Sequence, residues 1–368
     1  MSLVTFLGIY FVRKAGIDLG TVGLAFLAES LLRGAAAPMF GALSDRIGRR
    51  ALLVAAALAS AVVLPSFLLV GGPASLFAWS LAMGVTGAIN MPVATALLLD
   101  LAPFERRQSV LAVNYTAMSV AYSLGVMPAG YVAEQSYVLL AIISSGGYLL
   151  VASLYALVMR AAPAVERKDA GMLKETASAL RDRMFLLFAA CAFVFPLSMG
   201  LVVVASPLYA ADSGLGEGYI GLVLGGNSII VAALAVPVAT RIEPLGPFRL
   251  LGAAAFVVAC GIAAYAVLPG PAIGYLAGTM VFSFGELVFS SAVPAAVARL
   301  APAGRRGAYQ GGWTLVASFS MGSALFLSGL LRDSVGWRAA WLIFAAITLA
   351  GAILLFLFSK TLEGPRER

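Results

Sequence analysis

Three charged residues lie within long stretches that are otherwise apolar or small, namely Glu29, Arg33 and Glu286. An ionised side chain at the centre of a lipid bilayer costs about 3 kcal/mol or more, so its presence there suggests a function. At a helical rise of about 1.5 Å per residue, all three residues lie near the middle of a membrane-spanning segment. Groups of this kind can bind protons, form ion pairs or bind charged cargo.

Glu29 and Arg33 are four residues apart, so their side chains can meet on one face of a helix. One interpretation is a buried ion pair that neutralises its own charge. The other is that Arg33 sets the proton affinity of a nearby acid or binds an anionic group of a substrate. The sequence leaves both interpretations open.

Glu286 has no basic residue close to it along the chain. A carboxyl group in a low-dielectric cavity can load and release protons. We therefore predict that Glu286 is the principal proton-coupling residue and that Glu29 is the second one. The alternatives for Glu286 are an interhelical hydrogen bond or an ion pair with Arg33.

Several uncharged polar or aromatic residues at similar depths are predicted to line a substrate cavity together with Arg33. The alternative for the amides is that they join neighbouring helices, and the alternative for the large aromatic residues is core packing or an interfacial belt. The predicted residues are Asn90, Asn114, Tyr115, Asn227, Tyr209 and Trp313.

The composition indicates which elements must hold these residues. The chain has 368 residues, of which 61% are hydrophobic and 11% charged, and its mean hydropathy is +0.98. Soluble domains carry about 25% charged residues, and apolar runs of about 20 residues indicate membrane-spanning helices. We predict an all-α membrane protein whose twelve spans, the first of them shortened, are 2–12, 19–42, 50–70, 75–98, 108–131, 137–159, 184–210, 218–240, 249–268, 273–298, 307–331 and 338–358.

An internal repeat with an offset of about 198 residues divides the spans into two halves. Gly23-Leu24 corresponds to Gly221-Leu222, and Asn227 is the counterpart of Glu29. We predict an N-terminal bundle over 1–159, a linker over 160–183, a C-terminal bundle over 184–358 and a tail over 359–368. The offset also suggests that about half of the first helix is missing before Met1.

The basic residues indicate the orientation in the membrane. Nineteen of the 24 Lys and Arg residues fall in segments on one predicted side, and four fall in segments on the other. Because Lys and Arg near helix ends stay on the cytoplasmic side, loops 44–50 and 160–183 are predicted to be cytoplasmic in a cell membrane. The same asymmetry accounts for the net charge of +7, so nucleic acid is not a predicted partner.

Other residue types exclude several kinds of chemistry. The chain has no His, which removes a Ser-His-Asp triad and His metal sites. Its two cysteines, Cys191 and Cys260, lie in apolar runs and are interpreted as packing residues. The chain has no glycine-rich phosphate-binding motif. We therefore predict no enzyme, no metal site and no cofactor.

The segment Gly41-Ala42-Leu43-Ser44-Asp45-Arg46-Ile47-Gly48-Arg49-Arg50 resembles the loop between helices 2 and 3 of the major facilitator superfamily. That loop reads roughly G-x-x-x-D-R-x-G-R-R, and six positions match it: Gly41, Asp45, Arg46, Gly48, Arg49 and Arg50. The resemblance implies the major facilitator fold, which consists of two pseudo-symmetric six-helix bundles.

The resemblance further implies a gating role for this loop. In the family, the acid at the position of Asp45 caps the cytoplasmic start of helix 11, where it gains from the helix dipole. Arg106 or Arg107 would be its basic partner here, and Glu243 is the counterpart of Asp45 in the second half. The alternative for the arginines of the loop is simple topological anchoring.

The resemblance implies a secondary transporter that works by alternating access, acting as a monomer in the lipid bilayer. We predict proton-coupled efflux of hydrophobic or cationic small molecules, because acids in an apolar cavity can be neutralised by protons or by cargo. One alternative is uptake of an anionic metabolite bound by Arg33. Another is a non-transporting membrane sensor or scaffold. Two departures weaken the prediction of antiport: the helix 5 pattern of antiporters is poorly kept, and residues 75–98 contain no Arg.

Overall fold

A computed structural model describes residues 3–103, 107–158, 179–242, 246–302 and 305–363, and these residues form helices joined by short connections. The helices are α1 (Val4–Ile9, continued by a π-helical turn at Tyr10–Lys14), α2 (Leu19–Ile47), α3 (Arg49–Val63, continued by the 3₁₀ turn Pro65–Leu69), α4 (Pro73–Leu101), α5 (Arg107–Gln135), α6 (Tyr137–Val158), α7 (Arg183–Asp212), α8 (Glu217–Ile242), α9 (Pro247–Val267), α10 (Pro271–Leu300) and the continuous stretch Arg306–Glu363. Gly336, at φ +79°, divides that stretch into α11 (306–335) and α12 (337–363).

The predicted all-α membrane architecture is confirmed. Within the described residues, nine helical stretches are long and apolar enough to cross a membrane, and one of them covers both α11 and α12. Most predicted spans extend further at their ends. The structure continues α2 to Ile47 and α4 to Leu101, for example, so the polar ends of these helices lie beyond the apolar runs.

The internal repeat reappears in the positions at which helices begin. α2 begins at Leu19 and α8 at Glu217, while α4 begins at Pro73 and α10 at Pro271. Both pairs are 198 residues apart, as the sequence repeat predicts. α1 ends at Lys14 and α7 ends at Asp212, so the short α1 corresponds to the last part of the 30-residue α7.

The two halves contact each other through α2 with α11 and through α5 with α8. Ser30 donates a hydrogen bond of 2.8 Å to the carbonyl oxygen of Ser318. At the second contact, a Cβ atom on Gly130 would stand 2.3 Å from the carbonyl oxygen of Glu217, and Gly221 packs directly against Gly130. Glycine is required there because the two backbones approach too closely for any side chain.

These close approaches lie toward one end of the molecule. We call the end that carries residues 44–50 the basic end and the other the opposite end. Along α2, the residues whose Cβ atoms would overlap α11 run from Gly23 to Gly34, whereas a Cβ on Gly41, nearer the basic end, meets no atom within 4 Å. A Cβ on Gly307, at the start of α11, is equally unobstructed. The contacts between the halves therefore close the opposite end.

Polar contacts reinforce this closure. Asp212, at the end of α7, accepts a hydrogen bond of 3.0 Å from the indole nitrogen of Trp337 and pairs with Arg332 at 3.1 Å and with Arg13 at 3.8 Å. Arg13 lies in the turn that continues α1, so its ion pair joins the first half to the second. Glu134 likewise accepts a hydrogen bond of 3.1 Å from the backbone N–H of Gly218.

Replacing Gly130 by Leu should open the opposite end, because the new side chain overlaps the backbone of Glu217. Overpacking of this kind costs about 1–3 kcal/mol, which shifts a two-state equilibrium by about five- to 150-fold. Spin labels at Gln135→Cys and Ser213→Cys, with Cys191 and Cys260 replaced by Ala, should report a larger population of long distances.

Gly146→Leu is the matched control, because a Cβ on Gly146 meets no atom within 4 Å. An unchanged distance distribution in Gly130→Leu, with the variant folded, would contradict the inferred closure.

Candidate functional site

Glu286 lies on α10, and its side chain faces α8. Only 7% of the residue is exposed. The side-chain amide of Asn227 donates a hydrogen bond of 3.2 Å to Glu286 Oε2 and one of 2.7 Å to Ser283 Oγ. Among the described residues, none of the ion pairs includes Glu286. The carboxyl group is therefore enclosed and hydrogen-bonded, but no cation of the described structure neutralises it.

Further hydroxyl groups extend this polar site along α10. Ser283 donates to the carbonyl oxygen of Thr279 at 2.9 Å, and the Thr279 hydroxyl lies 2.9 Å from the hydroxyl of Tyr265 on α9. All of these side chains are buried. Buried polar groups are costly unless they are hydrogen-bonded, and here each has a partner within the C-terminal half.

Tyr122 brings the N-terminal half to the same site. Its hydroxyl lies 3.0 Å from the hydroxyl of Thr5 on α1, and it is close enough to Glu286 for the two groups to interact electrostatically. Ser123, the next residue on α5, donates a hydrogen bond of 2.9 Å to the carbonyl oxygen of Gly225 on α8. The carboxyl group of Glu286 is therefore near the seam between the halves.

Glu29 and Arg33 form the pair that their spacing predicts. Arg33 Nη2 lies 3.3 Å from Glu29 Oε2, and the side chains of Arg33 and Glu29 are 36% and 19% exposed. The stem of Arg33 passes across Gly87 of α4, where a Cβ atom would stand 3.0 Å from Arg33 Cδ. The pair therefore lies between α2 and α4, and the absence of a side chain at Gly87 makes room for the guanidinium.

The exposed part of Arg33 lies on a different face of α2 from the exposed leucines of that helix. Leu24 and Leu31 are 42% and 41% exposed. At 100° per residue, Arg33 points away from Leu24 by half a turn of the helix. Arg33 and these leucines therefore open to different surroundings.

The remaining predicted cavity residues are dispersed. Asn227 belongs to the Glu286 site, whereas Asn90 donates a hydrogen bond of 3.2 Å to Ser60 and so joins α4 to the peripheral helix α3. Asn114 contacts the sulfur of Met118 one turn along α5 at 3.6 Å. The side chain of Tyr115 lies outside the described residues. The contact of Asn90 therefore matches the alternative in which this amide joins two neighbouring helices.

The two predicted aromatic residues pack in clusters. Tyr209 donates a hydrogen bond of 3.0 Å to the carbonyl oxygen of Tyr265 and packs edge-on against Trp337 and Trp341 near the opposite end. Trp313 packs against Phe188 with ring centroids 5.6 Å apart. These are the contacts of core packing.

The predicted loop of residues 44–50 is a sharp junction between two helices, because α2 continues to Ile47 and α3 begins at Arg49. Gly48 has φ +90°, a conformation that residues with a side chain rarely adopt, and it separates α2 from α3. Arg49 pairs with Asp45 at 3.0 Å and with Asp100, at the end of α4, at 2.5 Å. One arginine therefore ties the basic ends of three helices together.

The other loop residues differ in their surroundings. Arg50 donates a hydrogen bond to the carbonyl oxygen of Ala156 on α6, Arg46 is exposed and Gly41 faces open space. The described contacts of Asp45 remain within the N-terminal half and do not reach the start of α11. Arg106, Glu243 and the side chain of Arg107 lie outside the described residues. Gating by this loop stays a prediction.

Sequence reasoning missed several residues of these sites. Ser283 precedes Glu286 by three residues, and this helical spacing could have identified it. Asp100 lies just beyond the predicted span 75–98, so the prediction did not include it, whereas α4 continues to Leu101. Asp212 and Arg13 carry no local signal, because their partners come from distant helices.

The comparisons with known proteins agree with this architecture. The family model of the Major Facilitator Superfamily matches residues 1–285 and also residues 188–368. A Na(+), Li(+), K(+)/H(+) antiporter of Planococcus maritimus is 27% identical over 341 residues, which cover 83% of this chain and 79% of the relative. An uncharacterized MFS-type transporter of Bacillus subtilis, YqjV, is 23% identical over 316 residues, which cover 84% and 77% of the two chains.

Solved structures show the same fold. The crystal structure of the nucleoside transporter NupG superposes with a TM-score of 0.77 at 13% identity, covering 98% of this chain and 95% of that one. The human organic anion transporter MFSD10 (TETRAN) superposes with a TM-score of 0.62 at 20% identity, covering 90% and 83%. At these identities the likeness shows the fold alone.

Arg49→Ala should destabilise the protein, because it leaves Asp45 and Asp100 without their shared cation. Arg49 is 11% and Asp45 17% exposed, so the loss should be about 1–3 kcal/mol, between the values for surface and buried pairs. Thermal unfolding of the purified protein measures it. Arg49→Lys should restore only part of the stability, since lysine cannot bridge two carboxylates as a planar fork.

Arg46→Ala, at an exposed position of the same loop, is the matched control and should leave the unfolding temperature unchanged. Equal losses in the two variants would contradict the bridging role of Arg49.

Proposed function

Because the chain belongs to the Major Facilitator Superfamily, we propose that this multi-pass membrane protein is a proton-coupled antiporter that exports small hydrophobic or cationic compounds. The observation that carries the proposal is Glu286, a buried acid that no described ion pair neutralises. A lone carboxyl group in hydrocarbon favours its neutral form, so it takes up a proton when it is enclosed and releases one when water reaches it.

The position of Glu286 suggests how protonation is coupled to movement. The carboxyl group belongs to α10, while Tyr122 approaches it from the other half. A charged carboxylate at this seam would need water or a cation, whereas a neutral one tolerates the closed contact. Protonation should therefore favour closure of the opposite end, and deprotonation should favour the state in which the seam opens. Rocking of the two bundles then alternates access to the cavity.

The orientation follows from the charge asymmetry of the sequence. With loops 44–50 and 160–183 in the cytoplasm, as the excess of basic residues favours, the closed end described above faces outward in the cell membrane. The conformation would then be the inward-facing one of a monomeric carrier. In the other conformation, Asp45 would move toward the start of α11 and act as a latch on the cytoplasmic side.

The Planococcus relative supports exchange with protons, since it is named as an antiporter. Uptake of an anionic metabolite is the alternative that Arg33 supports, because its side chain is partly exposed. Glu29 weakens this alternative by neutralising the same guanidinium at 3.3 Å. No contact described for the chain favours a non-transporting sensor or scaffold.

Glu286→Gln should abolish transport driven by a pH gradient and spare exchange without a gradient. Glutamine keeps the shape and can still accept the hydrogen bond from Asn227, but it cannot bind a transferable proton. The measurement is ethidium movement in proteoliposomes, first under an imposed pH gradient and then as counterflow at equal pH. The gradient-driven rate should fall to that of empty liposomes.

Asp333→Asn is the matched control, since Asp333 is exposed at the end of α11 and its ion pair is long, at 3.9 Å. Normal gradient-driven transport in Glu286→Gln would remove Glu286 from the mechanism. Absence of any pH-driven movement in the unaltered protein, across a panel of cationic dyes and anionic metabolites, would contradict proton coupling as a whole.

Arg33 variants separate the two kinds of cargo. In the double variant Glu29→Gln/Arg33→Met, the ion pair is removed without leaving an unpaired charge. An exporter of cationic compounds should keep ethidium transport within about threefold, because the removed pair is neutral overall. An anion carrier should instead lose anion binding entirely, which competition by organic anions against a fluorescent anion would reveal.

A further inference from the structure

Glu286 differs from three partly buried acids of the described residues in how its charge is balanced. Glu29 pairs with Arg33, Asp45 with Arg49, and Asp212 with Arg13 and Arg332. Glu286 is more enclosed than these acids and has only the neutral amide of Asn227 as a described hydrogen-bond donor. None of the described residues supplies a counter-ion when its carboxyl group is ionised, so an ion that enters the site can balance the charge.

The groups around Glu286 present oxygen atoms to such a counter-ion. The amide nitrogen of Asn227 lies 2.7 Å from Ser283 Oγ and 3.2 Å from Glu286 Oε2, so the hydroxyl and carboxyl oxygens both converge on this amide group. A half-turn of the amide would direct its oxygen there in place of its nitrogen, since the two orientations have nearly the same shape. Carboxylate, amide and hydroxyl oxygens are ligands of hard cations.

The charge of the site selects among hard cations. One carboxylate and two neutral ligands carry a single negative charge, so a monovalent ion leaves the site neutral. A divalent ion would leave one uncompensated positive charge in the hydrocarbon region, which is costly. A bulky organic ammonium ion is disfavoured by size, because only 7% of Glu286 is exposed and Gly285 packs its backbone against α9.

We propose that Glu286, Asn227 and Ser283 form a binding site for one alkali-metal cation, which competes with the proton for the carboxylate. The proposal rests on the proposed function, in which Glu286 is the proton site, and adds the inorganic ion that exchanges for the proton. One proton and one monovalent cation alternate on the same group, so the exchange is electroneutral.

The described surroundings of the site bring no competing charge. The Tyr122 hydroxyl of α5 is near enough to Glu286 to interact with it electrostatically, whereas the Tyr265 hydroxyl of α9 is bonded to Thr279, further along α10. The described ion pairs bring no Lys or Arg to Glu286. Competition between the proton and the cation is therefore decided at this carboxylate.

The test uses the reconstituted protein with the pH-sensitive dye pyranine inside the liposomes. External NaCl, LiCl or KCl should make the interior more alkaline, whereas choline chloride at the same ionic strength should not. When the K⁺ concentration is equal on both sides, valinomycin clamps the membrane potential. Its addition should not change the rate of the Na⁺ response, because the exchange is electroneutral. A response to CaCl₂ alone, or to choline as strongly as to Na⁺, would overturn the proposal.

Variants locate the site. Glu286→Gln should remove the alkali-dependent response, and Asn227→Ala and Ser283→Ala should each raise the half-maximal Na⁺ concentration about tenfold. Ser291→Ala is the matched control and should leave that concentration unchanged, because the described hydrogen bonds of Ser291 go to backbone carbonyls of its own turn. Unaltered half-maximal concentrations in Asn227→Ala and Ser283→Ala would place the cation elsewhere.

The two proposals fail differently. Ethidium transport that follows the pH gradient, without any alkali-dependent proton movement, would reject the cation site and leave proton-coupled export intact. Loss of every pH-driven flux in the folded, unaltered protein would reject both.

Discussion

The structure depends on the inability of hydrocarbon to solvate charge. Ions that enter the interior of the fold are therefore paired across short distances: Arg33 with Glu29, Arg49 with Asp45 and Asp100, and Asp212 with two arginines. These pairs add cohesion only modestly, because desolvation offsets most of the Coulomb attraction. Their main consequence is that the paired acids differ from Glu286. Glu286, the most deeply buried acid among the described residues, has no such partner, so its charge must be balanced by something that can come and go, and a carrier needs such a group.

The closed end of the molecule is held by contacts suited to reversal. The contact between Gly130 and Gly221 brings the backbones of two helices together without interlocking side chains. The polar contacts at that end, centred on Asp212 and Glu134, are partly solvated, and such pairs contribute about 0–1 kcal/mol each. Neither kind of contact is strong enough to prevent separation. Small changes in the charge at Glu286 can therefore compete with the energy that keeps this end closed.

The repeat places different chemistry at equivalent points of the two halves. Asn227 is the counterpart of Glu29, and Gly87 lies within one residue of the position equivalent to Glu286. In the N-terminal half, Arg33 passes over Gly87 and neutralises Glu29 from the same helix. In the C-terminal half, the acid is on α10, and its partner on α8 is a neutral amide. The same backbone frame thus yields a self-neutralised site in one half and a titratable site in the other.

The sequence alone determined the all-α membrane architecture, the spacing of the repeat and the placement of Glu29 and Arg33 on one helix face. These properties are local: apolar run length, the 198-residue offset and the four-residue helical spacing are all visible along the chain. Only the tertiary structure decided that Asn90 joins α4 to α3, that Asn227 contacts Glu286 and that Tyr122 approaches the same carboxyl group. Periodicity shows which residues share a helix face, but the helix that packs against this face is set by interactions between residues far apart in sequence.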